Sequence, residues 1–178
     1  QGCADYLDRR NDAASRGARI TPFRPVSNPN LHPMTTLITG ADSLLGRALV
    51  AALGGDAVRA LSTAESDLRD PAYVESLVQG VSAVIHLASL YARLATHLDD
   101  FDNLSRGTFT LTDRAAKAGV KKMVLASSLA LFRPEDAVQF RVSETFRPQP
   151  TTDPEHLCAW LAEITARETV RRHFGVNP

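Results

Sequence analysis

Four short apolar runs, at residues 35–39, 57–61, 81–88 and 122–127, alternate with stretches of helical length, and this alternation constrains the fold of the chain most. Runs so short and so apolar fit strands buried on both faces, which is the pattern of a parallel sheet. Between them, residues 43–53 read as a helix ended by Gly54-Gly55. Residues 71–79 read as a second, opened by Asp70 as a cap with Pro71 at its first position. A third helix is expected over residues 101–118, stopped by Gly119, and a last one over about residues 154–174. Strand followed by helix, repeated, implies the α/β class: a doubly wound parallel sheet covered on both faces.

Residues 1–33 do not share this pattern. They are rich in Arg, Asp, Asn and Pro, and Pro22, Pro25, Pro29 and Pro33 leave room for little beyond a short helical turn near residues 4–10. The expectation is an irregular N-terminal extension, a leader or a partner-binding arm, followed by one domain at residues 34–178. At 44% hydrophobic and 22% charged residues the chain has the balance of a soluble globular protein. Twenty basic residues offset twenty acidic ones, so no net field points to nucleic acid or a membrane surface. No apolar stretch approaches the roughly 20 residues that cross a bilayer, and the N-terminus lacks the apolar core of a signal peptide. Cys3 and Cys158 stand far apart and form neither a disulfide framework nor a metal motif. The expectation is a cytoplasmic protein with no metal site.

Directly after the first strand the chain reads TGADSLLG, residues 39–46. A glycine-containing turn between strand and helix often cradles a phosphate, and such turns also occur with no ligand. Glycine permits the tight turn and the close helix-strand packing, and the helix start offers N–H groups and the positive end of its dipole. Gly40 and Gly46 fill two of the three expected glycine places, and Ser43 stands in the middle one. Its side chain lies where backbone should come closest, although its hydroxyl could itself donate to a phosphate.

Four further motifs accompany the loop: DLRD at 67–70, VIHLAS at 84–89, NLSRGT at 103–108 and LASSLALF at 125–132. In this order and spacing, residues 34–177 resemble the extended short-chain dehydrogenase/reductases, the NAD(P)-dependent epimerase/dehydratase family, with a Rossmann-like fold. The resemblance implies that Gly40, Ser43, Leu44, Leu45 and Gly46 hold the pyrophosphate, and that Asp67 and Leu68 contact adenine. It places Leu87, Ala88 and Ser89 along the cofactor's ribose, makes Asn103 a helix residue that orders the active site, and makes Ser128 the serine that binds the reacting oxygen of the substrate. His86, inside an apolar strand, reads as a satisfied core histidine. The second strand ends Ala60-Leu61-Ser62-Thr63 with no carboxylate until Glu65, where NAD-selective enzymes place an acidic residue. Small hydroxyl residues there, with Arg59 close by, lean the expectation to NADP, or to use of both NADP and NAD. The short link from Leu61 to Asp67 leaves no room for a full third strand, as in the dTDP-4-dehydrorhamnose reductase branch.

The family's chemistry rests on Tyr-x-x-x-Lys at the start of the last helix. The lysine lowers the pKa of a tyrosine that would otherwise titrate near 10, and the spacing of four puts both on one helix side. Here that helix reads TTDPEHLCAWLAE, residues 151–163, with Glu155 at the tyrosine place and Ala159 at the lysine place. No shift of alignment restores the pair, because the last tyrosine is Tyr91 and the last lysine is Lys122. A first-turn Glu155 serves a helix start, and His156 points away from Cys158. The family also continues into a C-terminal substrate region, which the expectation treats as absent here. Three readings follow: a cofactor-binding domain without its own chemistry (a pseudoenzyme), part of an active nucleotide-sugar epimerase or reductase, or an interaction module. In the last, helices 101–118 and 154–174 could form a homodimer, with Leu157, Trp160, Leu161 and Ile164 on one face, either core or interface.

Overall fold

Thr39, Leu61, His86 and Leu125 stand level with one another as the last residues of four parallel strands. The strands are β1 (Thr36–Thr39), β2 (Val58–Leu61), β3 (Ala83–His86) and β4 (Lys122–Leu125), in the order β2-β1-β3-β4. The computed structural model describes residues 35–63, 67–87, 98–132, 143, 145 and 147–174, all within one compact unit, Pro33–Pro178. The expectation for residues 1–33 lies outside the described residues.

Four helices complete the fold: α1 (Leu44–Leu53), α2 (Pro71–Val78), α3 (Leu98–Lys117) and α4 (Pro154–Phe174). The expected doubly wound parallel sheet is the observed one, and period-two alternation distributes its side chains. Leu37 and Val84 point into a cluster with Val74, Val78, Leu111 and Ala115 from α2 and α3. Their neighbours Ile38 and Ile85 point the other way, into a cluster with Leu49 and Val50 of α1. The apolar runs outlast the strands because Val81 and Leu87 are buried without being ladder residues. Asp70 caps α2 by accepting the Ala72 N–H at 2.9 Å, with Pro71 next to it. Between β2 and α2 no strand occurs among the described residues.

α4 packs along α3, and here the side chains sort differently from expectation. The fully buried positions of α4 are Cys158, Ala159, Ala162 and Thr169, whereas Leu157, Trp160, Leu161 and Ile164 are only half-buried. Close approach of two helices selects small residues at the contact, so size rather than hydrophobicity decides which face turns inward. Phe101 and Leu104 of α3 meet Cys158 there.

Candidate functional site

After β1 the chain turns to β2 on one side, and β3 then pairs with β1 on the other, so strand order reverses at the end of β1. In such sheets the crevice at the carboxyl ends of the strands, at the point of reversal, is where ligands bind. The loop of residues 40–43 occupies that point. Gly40 has φ 73°, a left-handed conformation that favours glycine. Gly46, in the first turn of α1, lies so close to the loop that a Cβ there would stand 2.2 Å from the Gly40 carbonyl oxygen and 2.6 Å from Ala41 Cα.

Ser43 is the N-cap of α1. Its hydroxyl donates to the Gly40 carbonyl at 2.7 Å and accepts the Gly46 N–H at 2.9 Å. The hydroxyl is therefore turned into the loop, bonded to the backbone of its own turn. The same geometry removes the steric objection to a serine there, since the side chain folds under the turn. The N–H groups of Leu44 and Leu45, at the first two helical positions, have no acceptor within the helix. Their side chains are exposed, Leu44 by 84%. A loop closed by Gly46 with helix N–H groups at its rim fits a dinucleotide pyrophosphate.

Asp42, in the same loop, reaches across to the end of β2. Its Oδ1 accepts both the Thr63 N–H and the Thr63 hydroxyl, each at 2.8 Å. Desolvation pushes this carboxyl up, but the two Thr63 bonds, its own amide and Arg47 outweigh it, and the net shift is downward. The sequence reading overlooked this pair. Arg59 is also placed otherwise than supposed: its guanidinium donates to the carbonyls of Leu77 and Gln79, at the far end of α2. Of the groups offered for a 2′-phosphate, Ser62, Thr63 and Arg59, the Thr63 hydroxyl and Arg59 are thus engaged within the chain. Glu65 lies outside the described residues.

Asp67 is gripped by Arg69, whose Nε and Nη2 donate to the two carboxylate oxygens at 2.8 Å each. That bonding, with the Arg69 N–H and the charges of Arg69 and Arg106, overcomes desolvation and holds the carboxyl at about 2. Leu68 and Leu87 are buried, at 4% and 1% exposure. Ala88 and Ser89 lie outside the described residues. Asn103 is on α3, one residue after Asp102, which pairs with Arg69 at 3.6 Å and Arg106 at 2.8 Å.

Behind the loop, His86 is buried and bonded at both ring nitrogens. Thr108 donates its hydroxyl to the Leu104 carbonyl at 2.6 Å, so at 2.9 Å it accepts from His86 Nε2. Nδ1 then accepts the Thr39 hydroxyl at 2.6 Å. Burial pushes this histidine down to about 4, and it is neutral. It joins β1, β3 and α3.

Ser128 follows β4 and is half-buried, and its carbonyl accepts the Leu131 N–H at 3.2 Å. Ser127 bonds Glu163 of α4, a contact between distant segments that the sequence reading did not foresee. Ala159 is 2% exposed and offers no polar atom. A separate cleft of about 350 Å³ between α3, β4 and α4, lined by Val120, Lys121 and Thr169 among others, sits near the amino end of β4, away from the crevice. Among the described residues no group of His, Cys, Asp or Glu could hold a metal ion, and no helix is long and apolar enough to cross a membrane.

The model of the NAD dependent epimerase/dehydratase family matches residues 36–167. Sterol demethylase protein B of Methylococcus capsulatus is 34% identical over 113 residues, covering 53% of this chain and 34% of that protein. UDP-glucose 4-epimerase 4 of Oryza sativa is 36% identical over 98 residues, covering 52% of this chain and 27% of that protein. Among solved structures, a short-chain dehydrogenase/reductase superfamily protein from Agrobacterium tumefaciens with bound NAD superposes with a TM-score of 0.63 at 30% identity, over 78% of this chain and 46% of that one. A dTDP-4-dehydrorhamnose reductase from Bacillus anthracis in complex with NADP shares the fold, with a TM-score of 0.59 at 19% identity, over 79% of this chain and 51% of that one. The chain spans about a third of the length of the curated relatives it matches and about half that of the solved ones.

Proposed function

The chain belongs to the NAD-dependent epimerase/dehydratase family, and from that premise we propose that it holds a nicotinamide dinucleotide at the carboxyl edge of its sheet without supplying the family's Tyr-x-x-x-Lys proton transfer. The observation that carries the binding half is the loop at the strand reversal: Gly46 packed against Gly40, and the Leu44 and Leu45 N–H groups at the rim. These groups would hold the pyrophosphate, with Asp67 and the Leu68 backbone toward adenine and the backbone at Leu87, with Ala88 and Ser89, toward the ribose. When bound, the cofactor would supply hydride transfer, and Ser128 would orient a reacting oxygen.

The missing proton transfer is supported by the residues of α4. Glu155 stands where the family has tyrosine, and the buried methyl of Ala159 stands where it has lysine. Both positions lie inside this chain, so residues beyond it would not refill them. That disfavours the reading of an active nucleotide-sugar epimerase or reductase. The two curated relatives are named for a sterol and for UDP-glucose, and we assign neither substrate. We place the protein in the cytoplasm, and propose a homodimer through residues 101–118 and 154–174 on the strength of the half-buried Leu157, Trp160, Leu161 and Ile164.

Fluorescence titration of the full chain with NADH and with NADPH tests the binding. Saturable enhancement of the cofactor's emission is expected with at least one of them. A chain shown by circular dichroism to be folded, yet giving no saturation with either, would sink the proposal.

A further inference from the structure

The second strand ends without the carboxylate that dinucleotide-binding sheets use to bond the ribose hydroxyls about 20 residues past the first glycine. The structure supplies a carboxylate at that place by another route. Thr63, two residues beyond β2, donates its N–H and its hydroxyl to Asp42 of the phosphate loop, each at 2.8 Å. Both bonds fall on Oδ1, which orients the group and leaves Oδ2 outside the pair. Asp42 is exposed and lies two residues after Gly40, between the ends of two adjacent strands.

We propose that Asp42 is the residue that selects the cofactor at the adenosine ribose: its anchored carboxylate accepts from the ribose diol of NAD and repels the 2′-phosphate of NADP. The inference rests on the cofactor reading above and reverses the lean to NADP that the hydroxyl residues at 62–63 suggested. One further observation and one general principle support it. Arg59, offered with Ser62 and Thr63 for a 2′-phosphate, is bonded instead to the end of α2. An ionised carboxylate held at that place adds like-charge repulsion against a 2′-phosphate, a specificity device that acts by rejecting the wrong ligand.

Titration of the full chain and of Asp42→Asn with NADH and NADPH, at one ionic strength, is the test. The native chain should bind NADH at least about tenfold more tightly than NADPH. Asp42→Asn should reduce that ratio about tenfold, mainly by tightening NADPH, and Asp42→Ser should act in the same direction if the amide variant folds poorly. Thr63→Val, which removes the hydroxyl that orients Asp42, should weaken NADH several-fold. Equal binding of both cofactors by the native chain, or a ratio unchanged in folded Asp42 variants, overturns the inference and leaves the cofactor reading standing. Failure of both cofactors to bind overturns the cofactor reading, and the inference with it.

Discussion

At the scale of single residues, the contact between Gly46 and the Gly40 carbonyl leaves no room for a side-chain carbon at position 46. A methyl at position 46 would meet backbone atoms at 2.2, 2.6 and 2.8 Å, and backbone cannot rotate away as a side chain can. Gly46→Ala should therefore destabilise the chain by about 3 kcal/mol, at the upper end of ordinary overpacking, and abolish NADH binding. Chemical denaturation and titration of the same variant measure both. A stable variant that still binds would mean that the loop can open without cost. Ser43 makes the opposite point. From the sequence its hydroxyl could donate to a phosphate, and only the fold shows it bonded to Gly40 and Gly46.

At the scale of elements, His86 joins two strands and a helix through Thr39 and Thr108. Its buried ring titrates at about 4, against 6.5 for an exposed histidine. Between those values the unfolded chain binds more protons than the folded one, so stability rises with pH. The contribution is complete above about 6.5, and is lost as pH falls toward 4. The full difference corresponds to at most about 3 kcal/mol. Urea midpoints measured across this window should fall with acidity, and less steeply in a folded His86→Gln variant. The same slope in both would assign the dependence elsewhere. Asp42, Asp67 and Asp113, all shifted downward, add their losses at lower pH. A core histidine was legible from its apolar strand, but its partners were not. Thr39 lies 47 residues before it and Thr108 22 after, and neighbours at such distances are made by sheet order.

At the scale of the whole molecule, cofactor binding and folding are linked. A ligand that binds only the folded chain, present at a hundred times its dissociation constant, adds about 2.7 kcal/mol of stability. NADH at that concentration should raise the unfolding free energy by that amount, moving the denaturation midpoint upward with an unchanged slope. A changed slope would mean that cofactor alters how much of the chain unfolds together, and no shift would argue against binding. The small-residue face of α4 belongs to this scale too. Hydrophobicity pointed to Leu157, Trp160, Leu161 and Ile164, yet Cys158, Ala159, Ala162 and Thr169 lie buried, because the distance between two helices sets which side chains fit.

Local rules were enough for much of this. Short apolar runs between helix-length segments dictate a parallel sheet, Asp70-Pro71 opens α2 by capping geometry alone, and a glycine pair after a strand sets the tight turn into α1, because each depends on residues near in sequence. The proposal that Glu155 and Ala159 stand in place of the family's reactive pair likewise rests on residue identity. Tertiary structure decided what depends on neighbours brought from afar: that Asp42 meets Thr63, that Arg59 turns to the end of α2, and that Arg69 joins Asp67 to Asp102. Those pairings follow from which strands lie side by side and how closely helices pack, and hydrogen bonds form only where the fold has already set donor and acceptor within reach.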